Sequence, residues 1–242
     1  MDKNFAEKTI ASNQKLYNLI AGQFSETRKF NWLDFEKFLN YIKENDQVLD
    51  VGCGNGRFCK LLAKKNTHYQ GLDFSEKLIE IARQKYPSQH FQVGSILDLP
   101  YADQTFDVVV CIATLHHIPS KDFRLKAMQE MSRILKPDGY LLMLNWNLWQ
   151  FGWWKLHFKI AIKKIFYGLP IDFRDIFRPW RNSQGEIIGK RYIHGFSFLE
   201  LKKLGQVCNL KALKQFSNIK GKKTHWLKGY NLVSIFQKNH LK

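Results

Sequence analysis

Val48-Leu49-Asp50-Val51-Gly52-Cys53-Gly54-Asn55-Gly56-Arg57-Phe58 reads as a buried strand, a glycine-paved turn and the start of a helix. Such a turn lets a ligand approach the backbone, because glycine has no Cβ in the way. Any nucleotide or nucleoside cofactor can use one, so the acid at the strand tip decides the reading. Asp50 would repel a pyrophosphate strongly in a poorly solvated cleft. It would attract a ligand carrying an amino group and a sulfonium. Glycines at 52, 54 and 56 also depart from the G-x-G-x-x-G spacing of dinucleotide binders. The implied cofactor is S-adenosylmethionine.

Outward from that turn the chain alternates strands and helices. Tyr69-Gln70-Gly71-Leu72 ends on Asp73, and an acid at the tip of a second strand can accept hydrogen bonds from ribose hydroxyls. Ser75 to Tyr86 is an amphipathic helix with Leu78, Ile79 and Ala82 on one face and Ser75 as N-cap. Phe91 to Gly94 is a third strand that leads into Ser95-Ile96-Leu97-Asp98. Phe106 to Ile112 is almost continuously apolar, as a central parallel strand covered on both faces requires. A helix over Lys121–Ile134, a turn at Lys136-Pro137-Asp138-Gly139 and a strand over Tyr140–Leu144 extend the pattern. The expected fold is α/β, a Rossmann-like, doubly wound, mostly parallel seven-stranded sheet with a C-terminal antiparallel strand. Residues 1–242 are expected to form one domain, with lid helices over 8–43 and a basic, aromatic insertion at about 147–195.

These motifs, in this order over about residues 13 to 145, resemble the class I S-adenosylmethionine-dependent methyltransferases. The resemblance implies that Gly52, Gly54 and Gly56 line the methionine portion of the cofactor with Asp50 nearby. It implies that Asp73 holds the ribose, that Ser95 and Ile96 in the Gly94–Leu97 turn flank the adenine, and that Tyr17, Phe74 and Ile112 complete the cofactor site. Many relatives carry an acid where this chain has Ser95. Asp98 either substitutes for it or caps the following turn.

Charge is distributed unevenly along the chain. The 242 residues carry a net +17. Residues 1–150 hold 19 Lys/Arg against 17 Asp/Glu, whereas residues 151–242 hold 19 against 4. The second part is therefore a concentrated basic surface, which suggests a polyanionic partner, nucleic acid or anionic membrane. Hydrophobic content of 45% is that of a globular protein. No uninterrupted apolar run is long enough to span a bilayer, and the N-terminus has no apolar signal core. Cys53, Cys59, Cys111 and Cys208 form no CxxC pair, so they read as reduced thiols of a cytoplasmic protein, with no metal expected.

Three segments narrow the resemblance. Leu16 to Arg28 contains a Tyr–Ile-Ala–Phe-Ser–Thr-Arg pattern. Ile112-Ala113-Thr114-Leu115-His116-His117-Ile118 follows the fourth strand. Arg178-Pro179-Trp180 precedes Lys190-Arg191-Tyr192-Ile193-His194-Gly195-Phe196. With Asn145-Trp146, these resemble the tRNA wobble-uridine methyltransferases that esterify 5-carboxymethyluridine. That resemblance implies tRNA as partner, bound at its anticodon loop, and a small activating subunit. A carboxylate is already ionised at neutral pH, so its methylation needs orientation and dryness rather than a base. Arg28 is the candidate cation to orient it, His116 a candidate donor to the same group and Trp146 a candidate wall or stacking surface. Arg178, Trp180, Arg191, Tyr192 and His194 are the candidate RNA contacts.

Plainer readings stand beside these. Tyr17 and Phe24 have helical spacing and are either core or lid. Arg28 is also placed to complement a helix dipole. Of the two adjacent histidines, His117 is expected to be structural. Pro179-Trp180 either anchors a loop or contacts substrate. Lys220-Gly221-Lys222-Lys223 is expected to be an exposed hairpin turn. Trp149, Phe151, Trp153, Trp154, Phe158 and Ile162 interleave with lysines as an interfacial amphipathic helix does, so a small-molecule or quinone-type methyltransferase at a membrane surface is the alternative function. A non-catalytic protein that only binds the cofactor is a third.

Overall fold

The computed structural model of the protein describes residues 1–28, 33–150, 153, 162, 166 and 171–240. Trp32 and most of the aromatic-basic stretch 151–170, including Lys155, Lys159 and Lys163, lie outside the described residues. Strands β1 (Gln47–Val51), β2 (His68–Asp73), β3 (His90–Val93), β4 (Phe106–Ile112) and β5 (Leu135–Trp146) are parallel neighbours in the order β3-β2-β1-β4-β5. Beyond β5 the sheet continues with three further strands. β10 (Asn231–Lys238) inserts antiparallel between β5 and β8 (Leu210–Ile219), and the three-residue β9 (Lys222–Thr224) forms the outer edge. The expected seven strands are present, and β9 is an eighth. A separate two-stranded sheet joins β6 (Asp175–Arg181) to β7 (Ile187–His194).

Val108 to Cys111 and Leu141 to Leu144 are all essentially inaccessible, so the centre of the sheet is buried on both faces. One face packs on helices α4 (Lys121–Ile134) and α5 (Phe198–Val207) through Met128, Met131, Leu201 and Leu204. Helix α3 (Glu76–Lys85) begins where Ser75 Oγ accepts from Leu78 N–H, the cap expected from the sequence. Helix α2 (Cys59–Leu62) follows the glycine turn. Strand β5 starts earlier than the expected Tyr140. Asp138 takes φ of 60° and the β4 register slips between Phe106 and Val108, so the Lys136–Gly139 turn is an irregularity within the strand.

The stretch expected to form lid helices folds as one long helix, α1 (Lys3–Glu26), followed by a 3-10 helix over Leu33–Tyr41. Side chains of α1 stitch it to the loops beneath. Asn13 Nδ2 donates to His117 O and its Oδ1 accepts from Tyr192 N–H; Gln14 donates to Phe74 O at 2.7 Å; Asn18 Oδ1 accepts from Ser75 Oγ–H at 2.7 Å. The β6–β7 hairpin lies on this roof, so closely that a Cβ at Gly189 would stand 2.7 Å from Leu16. No helix among the described residues is long and apolar enough to cross a membrane.

Candidate active site

Register brings the two strand-tip acids together. Asp50 on β1 faces Gly71 across the ladder and Val51 faces Leu72, so Asp73 lies just beyond on the neighbouring strand. Between them the chain turns through Gly52, whose φ of +78° suits glycine and whose Cβ would lie 2.0 Å from Thr114 Oγ1. Gly54 N–H donates to Asp73 Oδ2, and Ser75 N–H to Asp73 Oδ1, both at 2.9 Å. These donors lower the Asp73 pKa, but burial outweighs them and raises it to about 6. Asp50 is buried too. Its Oδ2 accepts from Tyr69 O–H at 3.0 Å, while its Oδ1 has no hydrogen-bond partner. Burial, with a smaller push from Asp73, raises the Asp50 pKa to about 7.

A cavity opens over these acids, lined by Tyr17, Phe24 and Arg28 from the lid, Gly52 to Asn55 and Arg57 from the turn, Phe74, Ser95 to Leu97, Ile112 to Thr114, His117 and Trp146. Two buried carboxylates, one with an unused oxygen, would repel a polyphosphate and be relieved by a cation. A nucleoside carrying a sulfonium and an ammonium meets that requirement. Arg57, stacked 5.1 Å from the Phe35 ring, lines the same cavity and supplies a cation for a carboxylate. Burial and Arg28 hold its pKa down at about 10. The residues present fit S-adenosylmethionine.

Beside this cavity stands a wall of guanidinium and indole groups. Arg178 and Arg191 are cross-strand partners in the hairpin. Arg191 lies 4.7 Å from the Trp180 ring and 5.3 Å from Trp146; Arg178 lies 5.2 Å from Trp146 and 5.3 Å from Trp153. Arg28 stacks 5.1 Å from Phe24. Arg191 is 4% exposed, and its Nε and Nη1 have no hydrogen-bond partner. Burial, then repulsion from Arg191, lowers the pKa of both Arg28 and Arg178. No carboxylate forms an ion pair with Arg28, Arg178 or Arg191 among the described residues. Like charges gathered this way favour an anionic ligand.

Residues 49–143 match the methyltransferase domain family. This stretch is a methyltransferase domain. The chain is 35% identical over 132 residues to a tRNA (carboxymethyluridine(34)-5-O)-methyltransferase of Arabidopsis thaliana, a match covering 54% of this chain and 32% of that protein. The chain thus spans about a third of the length of that curated relative. A crystal structure of an S-adenosylmethionine-dependent methyltransferase from Methanosarcina mazei superimposes with a TM-score of 0.62 at 26% identity, covering 84% of this chain and 97% of that one. A methyltransferase from Haloferax volcanii, solved in complex with its Trm112 activator, has the same fold, with a TM-score of 0.66 at 18% identity over 96% and 99% of the two chains.

Within the methyltransferase domain and its roof, Tyr17, Asp50, Gly52, Gly54, Asp73, Phe74, Ser95, Ile96 and Ile112 all line one cavity, as do Arg28 and Trp146. Gly56 does not. Its φ of +74° carries the turn away from the cavity, and a Cβ there would stand 2.7 Å from the Phe91 ring. His116 also lies outside the lining, fully buried and stacked 5.0 Å from Trp146. The expected order of the two histidines is reversed, because His117 is the one that reaches the cavity. Its Nδ1 is 2.8 Å from Tyr192 O, which can only accept, so that nitrogen carries the proton and Nε2 accepts from Tyr17 O–H at 2.9 Å. Burial and Arg191 depress the His117 pKa to about 3, so the ring is neutral at physiological pH.

Tyr192 and His194 are corrected as RNA contacts. Both are fully buried. Tyr192 O–H donates to Asp175 Oδ1 at 2.7 Å, and His194 bridges Asp175 and Glu200 at 2.7 and 3.0 Å. They hold the hairpin to α5. Arg191 is likewise too buried to reach a solvent-borne loop, while Arg178 and Trp180 are partly exposed. Sequence reasoning passed over Arg57 and His117. For Arg57 a signal existed, since a basic residue one step past the glycine turn must sit near whatever that turn cradles.

Proposed function

We propose that the protein methylates the carboxylate of a modified wobble uridine in tRNA, using S-adenosylmethionine. The observation that carries this reading is the guanidinium cluster beside a cavity suited to a cationic donor: Arg178 and the buried Arg191 stand at the Trp146 ring, Arg28 lines the cavity, and none of the three pairs with a carboxylate among the described residues. The similarity to a tRNA carboxymethyluridine methyltransferase supports it. When bound, S-adenosylmethionine supplies an electrophilic methyl group. Asp50 and Asp73 hold the donor's cationic and ribose portions, and Arg57 its carboxylate. Arg28 and Arg178 orient the acceptor carboxylate, the buried Arg191 behind them adds positive charge at the indoles, and Trp146 and Trp180 offer faces to its base. Tyr17, Phe24 and Phe74 close the site against water. No side chain has to accept a proton, which agrees with two histidines that burial keeps neutral. A small activating subunit belongs to the proposal, as does tRNA as the partner.

The test is incubation with radiolabelled donor and unfractionated tRNA from a strain lacking the ester. The account expects label in tRNA that mild base releases, because esters saponify and methyls on carbon or ring nitrogen do not. Base-stable label, or label in a quinone-type small molecule and none in tRNA, would overturn it.

A further inference from the structure

After Glu200 the chain holds ten lysines and no Asp or Glu. Strands β8, β9 and β10 and the loop before β10 come from this acid-free segment, and they extend the sheet beyond β5. The register across them forms one row. Trp146 pairs with Asn231, Asn231 with Asn218, and Asn218 with Lys223. Directly paired residues share a face, so Lys223 points to the same side of the sheet as Trp146, three strand spacings or about 14 Å away. On that face Lys223 Nζ lies 5.0 Å and Lys37 Nζ 4.9 Å from the Phe216 ring, two cations on one aromatic.

The loop between β9 and β10 presents two aromatic rings to solvent, with Trp226 45% and Tyr230 54% exposed. Lys223 and Lys228, both exposed, flank them. This loop is held in place by the residue that follows Trp146. Asn147 Nδ2 donates to Trp226 O and Gly229 O, and Asn147 N–H donates to Tyr230 O at 2.9 Å. Exposed rings interleaved with lysines, fixed to the rim of the acceptor pocket, match the chemistry of single-stranded nucleic acid: bases stack on rings and phosphates meet ammonium groups.

We infer that Trp226, Tyr230, Lys223 and Lys228 form a platform for single-stranded RNA flanking the methylated nucleotide. This rests on the proposed tRNA reading and adds the surface that would hold the rest of the loop. The test uses the full chain and a tRNA anticodon stem-loop, measuring affinity against salt concentration for the wild type, for Trp226→Ala and for Lys223→Ala/Lys228→Ala. Trp226→Ala is expected to weaken binding at least about fivefold at every salt concentration, the low end of one lost base stack. The double lysine variant is expected to lower the log–log salt slope by about 1.4, two single-strand phosphate contacts. Donor affinity should stay unchanged in both, which shows that they fold. Variants within twofold of wild type, with an unchanged slope, overturn the platform while leaving the tRNA reading intact if the wild type still methylates tRNA. A wild type that binds no tRNA, or that uses Trp226 to bind anionic vesicles instead, overturns both.

Discussion

Asp50→Asn is expected to make the unliganded protein more stable at pH 8 while removing its hold on the donor. In the folded protein burial raises the Asp50 pKa from 3.8 to about 7. Between those values the unfolded chain ionises the group and the folded chain resists doing so, so stability falls as pH rises through that window and levels off above it. About three pKa units at 1.36 kcal/mol each give a cost of about 4 kcal/mol at pH 8, an upper bound because the substituted amide also weakens the hydrogen bond from Tyr69. Donor binding runs the other way, since a cation needs the ionised carboxylate. With a pKa near 7, Asp50 is about 1% ionised at pH 5, so wild-type affinity should be about a hundredfold weaker there than at pH 8. Asp73, near 6, steepens the fall below pH 6. Calorimetric titration at several pH values, in buffers of different ionisation enthalpy, would count the proton released on binding. A flat affinity from pH 5 to 8, or wild-type affinity in the amide variant, would refute the idea that this acid faces the donor's charge.

Three other outcomes follow from the same geometry. Gly52→Ala places a Cβ 2.0 Å from Thr114 Oγ1 at a positive φ and should cost at least about 2 kcal/mol in chemical denaturation, with donor binding lost. Arg28→Ala should lower methyl transfer at saturating donor by at least about thirtyfold, the low end for removing one member of a desolvated charge pair; Arg28→Lys should not restore it, since an ammonium lacks the planar fork. Asp175→Ala strips the acceptor from Tyr192 and His194 and should destabilise the fold by about 3–5 kcal/mol in urea, while folded protein keeps its donor affinity.

Local chemistry made much of this fold legible. The Ser75 cap, the α4 span from Lys121 to Ile134 and the glycine turn with its flanking acids are each written within a few neighbouring residues, and the structure has them where the sequence placed them. Long-range pairing was not legible. Nothing near Asn231 announces that β10 inserts between β5 and β8, and nothing in Gly189 announces Leu16 on another element. The histidine pair shows the limit most clearly. Which of two adjacent rings faces the cavity depends on Tyr17 from α1 and Tyr192 from β7, residues 100 and 75 positions away. Tyr192 and His194 sit in a segment that resembles RNA-modifying enzymes, yet Asp175 and Glu200 bury them as a polar clamp. A motif kept for function and one kept for packing look the same until burial is known.

The most direct measurement is nucleoside analysis of wobble-position uridines after the protein has acted on carboxymethylated tRNA with unlabelled S-adenosylmethionine. The account predicts that the carboxymethyl nucleoside gives way to one heavier by a single methylene, which reverts on treatment with base. Carboxymethyluridine left unchanged, or a methyl group found on the ring or the ribose, would contradict it.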